Sequence, residues 1–406
     1  MPDFARSDDP AVQAQLDRLA QLSPGGDRLG LDRITRLLDR LGRPHDQLPP
    51  AFHVAGTNGK GSTCAFLRGA IEASGRTVHA FTSPHLVRFN ERIRVAGKLI
   101  ENEVLATLLS EVLDASGDLD ASFFEVTTAV AFLAFARTPA DAAVIEVGLG
   151  GRLDATNMIE RSLCCGIAAL GIDHQQFLGA SLVEIAGEKA GIAKAGVPLV
   201  VLAQPPEAEA AIQQVADERG APVLLEGRDW AIDPTLRSSL LGEHQIRNAN
   251  LAWQMLRQQD ALAIGRASFL SGLTAAQWPA RFQELGPGPL VGTAETWLDG
   301  AHNLEAARAL ATLLADHGPK HIVLGILANK DAGAIVETLT SHALSFTFVP
   351  VADHAHHDPA ELAARFGGRC ANSLEEALCD LPAPRLIAGS LYLAGEALRL
   401  NGQVPD

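Results

Sequence analysis

The sequence predicts an α/β fold in two units, each built on a mainly parallel sheet. Three observations carry that prediction. Short apolar runs alternate with helical stretches along most of the 406 residues. A break at Leu285-Gly-Pro-Gly-Pro-Leu290 interrupts the alternation, which then starts again. Near the start, a glycine-rich turn with one lysine joins the first apolar run to a helix.

Residues 11–43 read as helical, with Leu16, Leu19, Leu22, Ile34, Leu37, Leu38 and Leu41 at helical spacing on either side of Ser23-Pro-Gly-Gly26. Strand-like runs follow at 52–55, 78–82, 143–147, 164–170, 199–202 and 223–225. Helical segments separate them at 62–74, 103–115, 125–136, 181–190 and 206–218. Beyond the break come strands at 295–298, 322–327, 346–349 and 386–388. Their helices start at Leu304 and span 332–340, 359–366 and 393–400. The organisation expected is therefore a first domain over 1–284, a linker over 285–290 and a smaller domain over 291–406. In parallel sheets of this kind ligands gather at the carboxyl ends of strands.

A formal net charge of −15 argues against a broad nucleic-acid surface, which needs a basic face. Cys64, Cys164, Cys165, Cys370 and Cys379 show no metal-type spacing, which suits a reducing compartment. Residues 1–10 lack the layout of a signal peptide, and the longest apolar run, 129–136, is too short to cross a bilayer. The expectation is a soluble cytoplasmic monomer with no nucleic-acid or membrane partner.

Within Ala51-Phe-His-Val-Ala-Gly-Thr-Asn-Gly-Lys-Gly-Ser-Thr63, Gly56, Gly59 and Gly61 let the backbone turn tightly and approach an anion. Lys60 adds a point charge, and Ser62 and Thr63 open a helix whose N-terminus favours phosphate. The Walker pattern wants glycine six residues before the lysine, where this chain has Val54. This is a phosphate loop of another spelling. Ser83 follows a strand and is stopped by Pro84, leaving a hydroxyl at a strand end. Glu146 ends a buried run and needs a cation or a partner; Arg152 is the structural alternative. His174 in Ile172-Asp-His-Gln175 is either a metal ligand or a structural histidine. Lys189, between Gly187 and Gly191, reads as a desolvated lysine, a phosphate ligand or a solvated helix residue. Asp299, His302 and Asn303 end a strand, and Arg281 precedes the break. Together they read either as one wall of an interdomain cleft or as a helix cap with a surface arginine.

In order along the chain, eight words resemble the folate branch of the Mur-ligase superfamily, the bifunctional dihydrofolate synthase/folylpolyglutamate synthases. They are Gly56-Thr-Asn-Gly-Lys-Gly-Ser62, Ser83-Pro-His85, Glu146-Val-Gly-Leu-Gly-Gly-Arg-Leu-Asp-Ala-Thr-Asn157, Asp173-His174, Glu188-Lys-Ala-Gly-Ile192, Arg281-Phe282, Asp299-Gly-Ala-His-Asn303 and Gly389-Ser-Leu-Tyr392. The glycine between Lys60 and Ser62 distinguishes this branch from the peptidoglycan ligases. The resemblance implies a Mur-ligase-like architecture: a P-loop ATPase-type first domain and a smaller Rossmann-like second one.

It also implies ATP-dependent joining of L-glutamate to dihydropteroate, and to the glutamate of tetrahydrofolate, through an acyl phosphate. By resemblance, Gly56, Thr57, Asn58, Gly59, Lys60, Gly61, Ser62, Asn248, Arg281 and Asp299 contact the nucleotide. Ser83 and Glu146 hold one Mg²⁺, and Glu146, His174 and Lys189 serve a second, with Lys189 carbamylated. Lys60, Lys189 and His302 are the implied catalytic residues, with His302 and Ser390 near the glutamate. Pteroate contacts fall on Gly30, Asp32, Ser122, Phe124, Glu125, Leu153, Asp154 and Ala155. Phe124 either stacks on the pterin or is a core aromatic. Two departures stand out. Ala280 occupies a place where the family usually has glycine, and residues 1–21 match no family word. Other readings are a Mur-type ligase for a different acid and a non-catalytic nucleotide-binding regulator. The joint presence of Glu146, His174 and Lys189 weighs against the regulator.

Overall fold

The computed structural model describes residues 6–22 and 29–406; the break at Ser23-Pro-Gly-Gly26 and the first five residues of the N-terminal extension lie outside them. Two compact units emerge, one containing residues 6–22, 29–85, 89–239 and 243–277 and the other residues 86–88, 240–242 and 278–406.

The first unit runs α1 (Pro10–Ala20), α2 (Asp32–Arg40), β1 (Ala51–Ala55), α3 (Lys60–Ala73), β2 (Val78–Phe81), β3 (Ile93–Val95), β4 (Lys98–Leu99), α4 (Asn102–Ser116), α5 (Phe123–Arg137) and β5 (Ala142–Glu146). It continues with β6 (Ser162–Ile167), α6 (Gln175–Leu178), α7 (Leu182–Ala190), β7 (Leu199–Val201), α8 (Pro206–Arg219), β8 (Val223–Leu225), α9 (Glu243–Arg257) and α10 (Arg266–Ala275). Its eight-stranded sheet has the order β4-β3-β2-β5-β1-β6-β7-β8. From β2 to β8 the pairing is parallel, and β3 and β4 add an antiparallel edge. All five residues of β1 and of β5 are buried, as both-faces-covered parallel strands require.

Helix α1 gives the N-terminal extension a structural role. Val12, Leu16 and Leu19 join the core formed with α2, α4 and α5. Asp9 caps the helix by accepting from the Ala11 and Val12 amides. Helices α3 and α10 approach closely because both are glycine at the contact. A Cβ on Gly272 would lie 2.4 Å from the Ala70 nitrogen, and one on Gly69 would lie 2.8 Å from the Gly272 oxygen.

The second unit runs β9 (Gln283–Glu284), β10 (Thr296–Leu298), α11 (Leu304–His317), β11 (Lys320–Leu324), α12 (Ala332–Leu339), β12 (Ala343–Phe348), α13 (Pro359–Phe366), β13 (Arg369–Cys370), α14 (Leu374–Cys379), β14 (Arg385–Ala388) and α15 (Leu391–Leu400). Its sheet has the order β13-β12-β11-β14-β10-β9, parallel except at β9. Ile322 and Leu324 point into one core while Val323 points into the other, so both faces are covered. Segment 285–290 sits inside this unit. Leu285 is buried and donates its amide to Thr296 O, and Gly288 bridges Gly292.

Candidate active site

Four neighbouring strands of the first sheet, β2, β5, β1 and β6, end at the same edge and carry Ser83, Glu146, the 56–60 loop and Asp173-His174. The loop after β1 is shaped by glycine. Gly56 and Gly59 have φ of +150° and +89°, and each is closely overlaid. A Cβ on Gly56 would lie 2.9 Å from Ala168 Cβ, and one on Gly59 would lie 2.4 Å from Asn248 Oδ1. Asn248, buried on α9, thus lies directly against the loop.

The loop's donors divide into two sets. The amides of Thr57 and Asn58 both donate to Ala169 O, at 2.9 and 3.1 Å, so they anchor the loop to the end of β6. The Thr57 hydroxyl reinforces this, donating to Gly171 O and accepting from Gly171 N. The amides of Lys60, Gly61 and Ser62 open α3, where no intrahelical carbonyl is available to them, an arrangement that favours an anion. The amides of Thr57 and Asn58 thus hold the shape of the cradle.

Glu146 closes β5 with a buried carboxylate. Its Oε2 accepts the Ser83 amide at 3.2 Å, and Lys60 Nζ stands 3.9 Å from Oε1. Arg152 pairs with Glu188 at 2.6 Å, so the structural alternative for Glu146 falls away. Lys189 is 5% exposed and donates from Nζ to Gly56 O at 2.9 Å. Burial, and then the nearby Lys60 charge, pull its pKa down to about 7, against the pull of Asp173 and Asp154. The solvated reading of Lys189 is thereby overturned. The helix end that carries it is seated by glycines. A Cβ on Gly151 would lie 2.8 Å from Lys189 O, and Arg152 N donates to Glu188 O.

His174 is the outlier. It has φ +51°, and its side chain is 44% exposed with Asp173 at 4.0 Å. Among the described residues no group of three or more His, Cys, Asp and Glu side chains forms a preassembled metal site. Hard oxygen donors are nonetheless present: Ser83, Glu146 and the Ser62 hydroxyl, which is buried with no hydrogen-bond partner among the described residues. That donor set fits a magnesium ion.

Of the residues assigned to pteroate, Ser122, Phe124 and Glu125 stand at the N-terminus of α5. Ser122 and Glu125 form a capping box, and Arg33, beside Asp32 at the start of α2, pairs with Glu125 at 3.0 Å. Gly30 precedes this turn with φ +157°. Phe124 is half-buried over Gly148, where a Cβ would meet its ring at 2.3 Å. Leu153 is half-buried and Ala155 buried in the loop and turn that follow.

Asp154 faces inward. It accepts from Leu149 N and Thr156 N and from the Thr156 hydroxyl, and burial raises its pKa. Thr156 Oγ1 in turn lies 2.9 Å from Nε2 of His53, a fully buried residue of β1. Asp154 thus clasps the glycine loop to the phosphate-loop strand. Sequence reasoning missed His53, because a histidine within an apolar strand carries no signal of a partner 103 positions away.

In the second unit, Asp299 is buried at the end of β10. Its Oδ2 accepts Phe282 N at 2.8 Å and its Oδ1 accepts Ala301 N at 2.7 Å. Burial raises its pKa against the Arg281 charge. Arg281 donates to Ala280 O, and His302 Nδ1 to Gly300 O. Asn303 caps α11, and Ser390 caps α15 by accepting from Tyr392 N. Ala280, where glycine was expected, has φ +58°.

No family model matches the chain. The dihydrofolate synthase/folylpolyglutamate synthase of Bacillus subtilis (strain 168) is 37% identical over 356 residues, 79% of this chain and 81% of that protein. The chain belongs to the dihydrofolate synthase/folylpolyglutamate synthase family. Escherichia coli FolC in complex with DHPP and ADP is 28% identical with a TM-score of 0.86, covering 98% of this chain and 99% of FolC. A bifunctional folylpolyglutamate synthase/dihydrofolate synthase with Mn, AMPPNP and L-glutamate bound has a TM-score of 0.85 at 28% identity, over 96% and 97% of the two chains. The Mur-ligase-like fold is thus that of the dihydrofolate synthase/folylpolyglutamate synthases, which are ATP-dependent, amide-forming ligases.

Proposed function

We propose that this chain joins L-glutamate to dihydropteroate, and extends tetrahydrofolate in the same way, at the expense of ATP. One observation carries the reading: the Lys60 loop, the Ser83–Glu146 pair and the buried amine of Lys189 meet at the carboxyl ends of adjacent strands.

A carboxylate is a poor electrophile. The substrate carboxylate oxygen attacks the γ-phosphorus, the bond to ADP breaks, and an acyl phosphate forms. The glutamate amine then attacks the acyl carbon, phosphate leaves, and the nitrogen loses its proton as the amide is made. Lys60 and the amides at the start of α3 stabilise charge on the phosphates as it shifts. Ser62, Ser83 and Glu146 would hold a magnesium ion, with His174 and Lys189 serving a second. Bound magnesium supplies charge neutralisation and alignment of the phosphates. A lysine ammonium has no lone pair for a cation; carbamylation, which requires the neutral amine, turns the side chain into an oxygen ligand, and a pKa near 7 supports that modification of Lys189.

Asn248 packs the phosphate loop, and Arg281 and Asp299 serve the nucleotide. Phe124 offers a ring face for the pterin. Among the pteroate residues, Gly30, Asp32, Ser122, Glu125, Leu153 and Ala155 shape its pocket, with Asp154 behind them. His302 and Ser390 receive the glutamate. We place the enzyme in the cytoplasm as a monomer acting on small molecules, with neither nucleic acid nor membrane as partner. No helix among the described residues is long and apolar enough to cross a membrane. Product mass spectrometry with dihydropteroate and tetrahydrofolate as alternative acceptors tests the pairing of activities. A glutamyl adduct is expected on each, and no adduct on either refutes the proposal.

A further inference from the structure

Four loops leave the carboxyl edge of the second sheet, after β10, β14, β11 and β12, and main-chain bonds join them in two pairs. Gly389 N, after β14, donates to Ala301 O after β10. The loops after β11 and β12 are zipped together: Ala328 N donates to Ala355 O, His357 N donates to Ile326 O, and Leu327 bridges His356. His357 Nε2 adds a bond to Lys330 O.

His354 is a side chain that ties the zipped pair to α15. Its ring stacks on Tyr392 with centroids 3.7 Å apart and planes 24° apart. The ring is itself held, because its Nδ1–H donates to Ala352 O at 2.8 Å, and Asp353 turns the chain there at φ +60°. Tyr392 sits in the first turn of α15, and its amide donates to the Ser390 hydroxyl at 3.1 Å. Ser390 therefore accepts from Tyr392 and keeps its own O–H to donate.

We propose that His354 is a positioning residue for the incoming acidic amino acid, fixing through the Tyr392 ring the first turn of α15, which the buried Ser390 hydroxyl caps. This rests on the assignment of Ser390 to glutamate made above. A stack of this kind is worth a severalfold change in an equilibrium, and a positioning role through this turn is expected to show on glutamate alone.

The test compares His354→Ala, His354→Phe and Ser390→Ala in steady-state kinetics with glutamate, ATP and dihydropteroate varied separately. In His354→Ala, glutamate KM is expected to rise about fivefold, with the KM of ATP and of dihydropteroate unchanged. His354→Phe keeps a ring and is expected to restore glutamate KM. Tyr392 is the one tyrosine of the chain. A fluorotyrosine-labelled protein therefore gives a single ¹⁹F resonance, which should move in the alanine variant and return in the phenylalanine one. An unchanged glutamate KM in His354→Ala overturns the proposal, as does a phenylalanine variant as impaired as the alanine one, or a parallel rise in all three KM values. If Ser390→Ala leaves glutamate KM unchanged, the assignment of Ser390 falls and the positioning role with it. If Ser390→Ala is impaired and His354→Ala is not, only the positioning role falls.

Discussion

Lys189 shows how burial changes what a residue can do. With its pKa pulled down to about 7, the folded chain lacks a proton that the unfolded chain keeps up to the ordinary lysine value of 10.5. This residue therefore makes stability rise with pH between about 7 and 10.5. Below 7 the amine is charged and cannot be carbamylated, so kcat/KM is expected to fall on an acid limb near that pH. Lys189→Ala should lose at least about a hundredfold in turnover, the scale typical of a lost group that stabilises transition-state charge. Wild-type rates in that variant would exclude the carbamate. Ala280 makes a second case. Its left-handed φ of +58° costs roughly 1–2 kcal/mol for a residue with a Cβ, while its fully buried methyl contributes about 0.8 kcal/mol. Glycine's own entropy cost of about 0.5–1 kcal/mol brings the sum near zero. Ala280→Gly should leave the urea midpoint almost unchanged, whereas Ala307→Gly, on α11 without strain to relieve, should lose about 1.3–1.8 kcal/mol. Equal losses at the two positions would deny the strain.

At the level of elements, what could be read in advance followed chemical contrast. Strands β1, β5 and β6 were legible because each is an apolar run followed by a glycine or polar turn. The edge hairpin of β3 and β4 was not, since Arg94 and Lys98 break any apolar alternation. Helix α9 escaped for a related reason: Glu243, His244, Arg247 and Asn248 open a polar first half. It matters nonetheless, because it brings Asn248 to the phosphate loop. Ser83, Glu146 and Lys60 were visible as polar groups ending apolar runs. The anchoring of Thr57 and Asn58 by Ala169 was not, because it depends on where β6 ends beside β1. The α3–α10 contact gives a prediction at this scale. Gly272→Ala would press a Cβ into the Ala70–Gly69 backbone and should cost about 2–3 kcal/mol, read as a lower urea midpoint. An unchanged midpoint would show that the helices part freely.

For the whole molecule, a charge of −15 is compatible with the proposed ATP site, because local dipoles and the Lys60 charge, rather than the net charge, set the potential at the loop. The same contrast separates fold from chemistry: the fold says where strand ends meet, and the residues placed there say what reacts. In the proposed function, Lys60, Ser83, Glu146 and Lys189 act together to activate a carboxylate. The most direct measurement is ADP release with dihydropteroate, L-glutamate, ATP and limiting Mg²⁺, for the wild-type protein and Glu146→Gln. ADP release is expected to require both the pteroate and Mg²⁺ and to fall by two or more orders of magnitude in the variant, roughly the scale of a lost transition-state contact. ADP release indifferent to dihydropteroate, or a Glu146→Gln rate equal to wild type at limiting Mg²⁺, would contradict the proposed function.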